Sequence, residues 1–133
     1  MSDLRHLDPN MPILIVDDFS TMRRIIRNAL KTLGFNNITE ADDGQNAWDK
    51  MQESEFQFIV SDWNMPNMMG IDLLKTARAS DKYKTVPFMM LTAEAQKDSV
   101  SEVEDAGASS CVVKPITTQV LESRMEAIFR KAN

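Results

Sequence analysis

Five residues of this chain could act together on a phosphoryl group. They are Asp17 and Asp18 in "ILIVDD", Asp62 in "FIVSD", Thr92 in "VPFMMLT" and Lys114 in "SCVVKP". Each closes or directly follows a short apolar run. Three carboxylates in one crevice cannot all ionise without help, because like charges disfavour one another's ionised form. A hard divalent cation would relieve them. Mg²⁺ suits the task, since it takes one or two carboxylates, keeps several waters and meets phosphate oxygens. Lys114 adds a mobile cation and Thr92 a hydroxyl. Such a set can hold a transferring phosphoryl group, and a carboxylate can be its covalent acceptor. Taken singly, each residue has a plainer explanation. An acid at a strand end often caps the next helix, and Asp18 or Asp62 could do only that. Five such residues at the ends of four strands weigh toward chemistry.

The elements that must position them follow from the apolar pattern. Ile13–Asp18 is a short β-branched run, the pattern of a strand buried on both faces. In the next stretch Met22, Ile25, Ile26, Ala29, Leu30 and Leu33 recur at helical spacing, with Arg23, Arg24, Arg27 and Lys31 on the other side as a solvated face. Ser20 is the expected N-cap and Gly34 the stop. Asn37–Ala41 reads as a second strand, and "DDG" turns into a helix carrying Ala47, Trp48 and Met51. Phe56–Asp62 is a third strand, followed after Gly70 by a helix with Ile71, Leu74 and Ala77. Val86–Thr92 is a fourth strand with Met89 and Met90 in the core. The next helix has a thin stripe of Val100, Val103 and Ala106. "SCVVKP" is the fifth strand. The closing helix faces inward with Val120, Leu121, Met125, Ile128 and Phe129.

Strand and helix thus alternate five times. That predicts an α/β fold, a doubly wound parallel five-stranded sheet with helices on both faces. In the flavodoxin-like (βα)5 order 2-1-3-4-5, strands one and three are neighbours at the switch point, where ligands gather beyond the carboxyl ends of the strands. The three acids then share one crevice. Residues 1–11, broken by Pro9 and Pro12, read as an N-terminal tail, and 12–133 as one domain.

Composition narrows the class. The chain has 133 residues, 43% hydrophobic and 26% charged, an ordinary globular mix that can bury one core. A net charge of −5 argues against non-specific binding to a nucleic-acid backbone. One cysteine and one histidine exclude an intrachain disulfide and a Cys/His zinc site. His6 reads as a solvated residue. No run reaches the length of a membrane span. A cytoplasmic monomer is the expectation.

Longer stretches carry a resemblance. "VDDFSTMRRIIRN", "LGFNN", "SDWNMPNM", "LLKTAR", "TAEA" and "AGAS…VVKP" make the chain similar to single-domain response regulator receivers, more closely those of chemotaxis. The similarity covers almost everything after residue 11. It implies that Asp62 accepts a phosphoryl group from the phosphohistidine of a chemotaxis histidine kinase. It implies that Asp17 and Asp18 hold Mg²⁺ together with Asp62 and the backbone carbonyl of Asn64. Thr92 matches the switch hydroxyl and Lys114 the lysine that pairs with the phosphoryl group. Asn64 and Glu94 match positions that tune its hydrolysis, and Lys114–Pro115 matches a cis bond. A flagellar motor switch protein is the implied output partner, and a dedicated phosphatase would be a further one. A receiver that only drains phosphoryl groups, one that serves only as a structural partner, and an Asp-nucleophile phosphatase are the alternatives. The intact set of five weighs against the structural partner. The adjacent rather than alternating acids of the first strand weigh against the phosphatase.

Two positions depart from the pattern. Cys111 stands where the family carries an aromatic switch residue. It is expected to be a small buried residue that weakens or reroutes the coupling to Thr92. A redox role for it rests only on its being a lone thiol. Met69 stands where the family carries an acid. That removes a favourable charge from a helix start, worth from a few tenths to about 1 kcal/mol, and one negative charge near the metal crevice. Trp63, next to Asp62, is expected to be half exposed and to report optically on the site.

Overall fold

A computed structural model describes residues 3–93 and 97–132. Five strands form one parallel sheet in the order β2-β1-β3-β4-β5. They are β1 (Ile13–Val16), β2 (Ile38–Ala41), β3 (Phe58–Asp62), β4 (Phe88–Thr92) and β5 (Ser110–Val113). The helices between and after them are α1 (Ser20–Thr32), α2 (Gly44–Glu53), α3 (Gly70–Arg78), α4 (Lys97–Asp105) and α5 (Thr118–Ala132).

The three inner strands β1, β3 and β4 are largely apolar and buried throughout because both faces of the sheet are covered, whereas the edge strands β2, which carries Thr39 and Glu40, and β5 are only partly buried. Alternate side chains point to opposite faces. Ile13 and Ile15 of β1 join one core with Ile26 and Leu30 of α1 and Leu121 and Met125 of α5. Leu14 and Val16 join the other, with Ala47 and Met51 of α2, Leu73 and Leu74 of α3 and Val103 of α4. Met89 and Met90 are both fully buried, one on each side. Each such side chain contributes about 1.5–3 kcal/mol. The Phe58 and Phe129 rings meet edge to face with centroids 5.5 Å apart, tying β3 to α5.

Several sequence expectations are corrected. Ser20 is the first helical residue, and the N-cap position of α1 is Phe19, which supplies no side-chain bond. The turn is held instead by Asp17, whose Oδ1 accepts from the Phe19 N–H at 2.9 Å. Gly34 does end the helix, with φ at 102° and its N–H on Lys31 O at 3.0 Å. Ile25 and Val120, placed on inward stripes, are exposed. The helical period in those segments spans more than the stripe the sheet can cover. Arg23 and Arg27 are not merely solvated. Both pair with Glu40 of β2, at 3.0 and 2.8 Å, and Arg23 Nη1 also donates to Asp17 O at 2.7 Å. Phe56 and Val86 lie just outside their strands.

The segment read as a tail also packs. Asp3–His6 forms a turn of 3-10 helix, and Leu4 and Met11 are buried in the α1/α5 core. Leu4, Leu7 and Met11 recur at helical spacing, a pattern that the prolines Pro9 and Pro12 masked.

Candidate functional site

The carboxyl ends of β1, β3, β4 and β5 meet on one rim. Asp17 follows β1 directly, and its N–H donates to Ala41 O at 3.1 Å, continuing the ladder with β2. Asp62 is the last residue of β3 and Thr92 the last of β4. Lys114 follows β5, its N–H donating to Thr92 O at 2.7 Å. Asp17, Asp62 and Thr92 are buried, while Asp18 is exposed. A strand that ends on a buried acid is therefore a strand that runs into a polar crevice.

Lys114 compensates that acid. Its Nζ lies 3.0 Å from Asp62 Oδ1 and 3.2 Å from Asp17 Oδ2. Asp62 Oδ1 also accepts the Trp63 N–H at 2.9 Å. Burial pushes the Asp62 carboxyl above its ordinary value, and the nearby Asp17 charge adds to that. The Lys114 contact and the Trp63 N–H pull the other way without cancelling it. Burial also disfavours the Lys114 ammonium, but the hydrogen bond to Asp62 and the charges of Asp17 and Asp62 outweigh it and hold the group above its ordinary value. The crevice thus carries an excess of negative charge that one lysine does not neutralise.

Carboxylate oxygens of Asp17, Asp18 and Asp62 lie within 4.8 Å of one another. An all-oxygen set of this charge fits a hard cation such as Mg²⁺. Of the other residues singled out in the sequence, Asn64 is exposed in the loop after β3 and Trp63 is half exposed. Glu94 lies outside the described residues. Lys114–Pro115 is cis.

Two glycines shape the loop that follows Asp62. A Cβ on Gly70 would run into the Asp62 backbone carbonyl and stand 2.9 Å from Met90 Sδ. The Gly70 N–H donates to Trp63 O at 2.9 Å, closing the loop at its base. At the far side a Cβ on Gly44 would run into Met68 O. Asp43, the N-cap of α2, accepts the Asn46 N–H on Oδ1 at 2.7 Å and the Asn67 side-chain amide on Oδ2 at 2.7 Å. Both hydrogen bonds hold the Asp43 carboxyl below its ordinary value. Sequence reasoning read "DDG" as a turn and missed this contact. An Asp three residues before Asn46 is a recognisable cap, but nothing in the sequence aligns it with Asn67.

The two departures also find places. Met69 is the N-cap residue of α3 and makes no side-chain cap bond, and Asp72 is the acid of the first turn. Cys111 is only partly buried, against the expectation of a buried small residue. It sits on β5, an edge strand, and packs against the core on the α2–α4 side of the sheet. Burial raises its thiol above the ordinary value, and the Glu104 charge adds to that against a smaller pull from Arg124.

Comparison with known proteins agrees with this geometry. The response regulator receiver domain profile matches residues 13–126. A chemotaxis protein CheY of Pseudomonas aeruginosa is 54% identical over 123 residues, spanning 92% of this chain and 99% of that protein. A chemotaxis protein CheY-3 of Vibrio cholerae is 50% identical over 125 residues, spanning 94% and 96%. Among solved structures, the chemotaxis response regulator CheY4 of Vibrio cholerae superposes with a TM-score of 0.83 at 32% identity, covering 90% of this chain and 98% of that one. A putative response regulator from Chloroflexus aurantiacus superposes with a TM-score of 0.85 at 27% identity, covering 91% and 98%.

Proposed function

Because this chain belongs to the response regulator receiver family and its relatives are chemotaxis proteins, we propose that it is a phosphorylation switch acting through a binding partner. The observation that carries this reading is the Lys114 ammonium set between the buried Asp62 and Asp17, with Asp18 alongside. Asp62 is the acceptor. A carboxylate oxygen of Asp62 forms a bond to phosphorus as the P–N bond of a kinase phosphohistidine breaks, and the ring, protonated on its other nitrogen, keeps the electron pair and leaves as neutral imidazole. Asp17, Asp18, Asp62 and the Asn64 carbonyl would hold Mg²⁺, which supplies positive charge to the phosphoryl oxygens. Lys114 exchanges a carboxylate partner for a phosphoryl oxygen. Thr92 offers its hydroxyl to another, drawing the end of β4 toward the acceptor and biasing the surface of α4, β5 and α5. The output partner is a flagellar motor switch protein, and the chain works as a cytoplasmic monomer. Among the described residues no helix is long and apolar enough to cross a membrane.

The test is incubation with acetyl phosphate and Mg²⁺, or with beryllofluoride and Mg²⁺, followed by titration with an N-terminal peptide of a motor switch protein. Mass gain abolished by Asp62→Asn, with peptide binding gained on modification, supports the switch. Modification without peptide binding favours the alternative that Cys111 keeps open, a receiver that drains phosphoryl groups. Sustained turnover of many phosphoesters would make the chain a phosphatase.

A further inference from the structure

The loop between β3 and α3 is held at two places that the chemistry above does not use. Its base is closed by the Gly70 N–H on Trp63 O. Its outer part is held by another element, the N-terminus of α2. Asn67 takes φ of 68°, a left-handed conformation that costs a non-glycine residue free energy unless its surroundings fix it. The fixing contact is the 2.7 Å hydrogen bond from its amide to Asp43 Oδ2. The adjacent Gly44 lets Met68 O approach where any side chain would block it. Asp43 in turn is oriented by the Asn46 N–H on its other oxygen. Both oxygens of one carboxylate are thereby engaged, one within α2 and one across to the loop.

We propose that Asp43 is a positioning residue for the acceptor loop. It clamps Asn67 and thereby sets the backbone of residues 63–69, the segment that contains Asn64. The inference rests on the reading of Asn64 as a metal ligand. Supporting partners of this kind tune a metal site because they fix where the ligand stands.

Three variants separate the clamp from the cap. Asp43→Ser keeps a hydroxyl to cap Asn46 but is too short to reach Asn67. Asn67→Gly keeps the left-handed backbone accessible and removes the amide. Asp43→Asn can keep both bonds if the Asn67 amide turns to present its oxygen. Two readouts are needed: Mg²⁺ titration followed by tryptophan fluorescence, and amide hydrogen exchange of residues 64–69 without metal. Asp43→Ser and Asn67→Gly are expected to weaken Mg²⁺ half-saturation about tenfold, the low end for loss of a ligand's supporting partner, and to speed exchange in the loop. Asp43→Asn is expected to restore both to within about twofold, as an amide able to make the same two bonds should. If the wild-type chain binds Mg²⁺ and the two clamp variants bind it equally well, the proposal is overturned while the switch stands. Failure of the wild-type chain itself to bind Mg²⁺ overturns both. Unchanged loop exchange in the clamp variants would also overturn the proposal, whatever the metal does.

Discussion

Lys114 Nζ lies 3.0 Å from Asp62 Oδ1, at the end of a different strand and on the same rim. The lysine occupies the position that a cation or a phosphoryl oxygen would compete for. The contact offsets part of the rise that burial imposes on the Asp62 carboxyl, and under the proposed function it would loosen as the phosphoryl group arrives.

Removing that lysine should separate stability from metal affinity. Lys114→Ala leaves Asp17 and Asp62 buried without their cation. Without metal the fold should lose about 1–3 kcal/mol, the cost of leaving a charged partner unsatisfied. Mg²⁺ should bind tighter by about 1 kcal/mol, since a competing positive charge is gone. Phosphorylation should slow, because the transferred group loses a cation. Thermal melts with and without Mg²⁺ read the first two effects. Weaker Mg²⁺ binding in Lys114→Ala would show that the lysine does not compete for those carboxylates.

Gly70 and Gly34 make a contrasting pair. Gly34→Ala meets no neighbour and suffers only its positive φ, so it should cost about 1 kcal/mol and leave phosphorylation unchanged. Gly70→Ala collides with the Asp62 carbonyl. It should cost about 3 kcal/mol and, under the proposed function, lower the rate of modification by moving Asp62. Chemical denaturation and acetyl phosphate kinetics on both variants would decide it. Equal rates in the two would mean that the β3 end tolerates the shift.

Met69→Asp should stabilise the protein. The N-cap of α3 lacks a side-chain acceptor, and an aspartate there typically adds about 0.5–1 kcal/mol. Part of that gain is offset because Met69 packs against the core of the α2–α4 face. The added charge should also raise Mg²⁺ affinity slightly. Phosphorylation should occur in both forms. A chain that accepts phosphoryl groups only after this substitution would overturn the view of Met69 as a local departure.

Cys111 should be a slow nucleophile. Its pKa is raised by burial and by Glu104, so less thiolate is present at any given pH than in the unfolded chain. Alkylation by iodoacetamide at pH 8 should be slower in the folded protein than in urea. The sign for stability follows from the same shift. The fold favours the neutral thiol, so the contribution is complete below the unfolded value of about 8.5 and is lost as pH rises toward the higher folded value. Fast alkylation of the folded chain near neutral pH would instead support a redox role. Cys111→Tyr tests the other half of the question, whether an aromatic at this position strengthens partner binding by the phosphorylated form.

The alternation of buried runs and amphipathic stretches, and the polar residue at the end of each run, are properties of the sequence alone. They suffice for a parallel sheet with Asp17, Asp62, Thr92 and Lys114 on one rim, because in a parallel sheet every strand ends at the same edge. Local chemistry also marked Gly34 as a helix stop. What no local pattern could decide is which side chains meet across elements. Arg23 and Arg27 looked like a solvated face until β2 brought Glu40 against them. Leu4 and Met11 looked like a tail until α1 and α5 offered a core to fill. Ile25 and Val120 fit a helical stripe, yet the sheet beneath covers less than the whole stripe. Asp43 and Asn67 belong to different loops, and only the packing of α2 beside α3 places one carboxylate within reach of one amide. Periodicity and strand ends are encoded along the chain. Partnerships between distant polar groups depend on the angle and distance at which finished elements pack, and those exist only once the tertiary structure has formed.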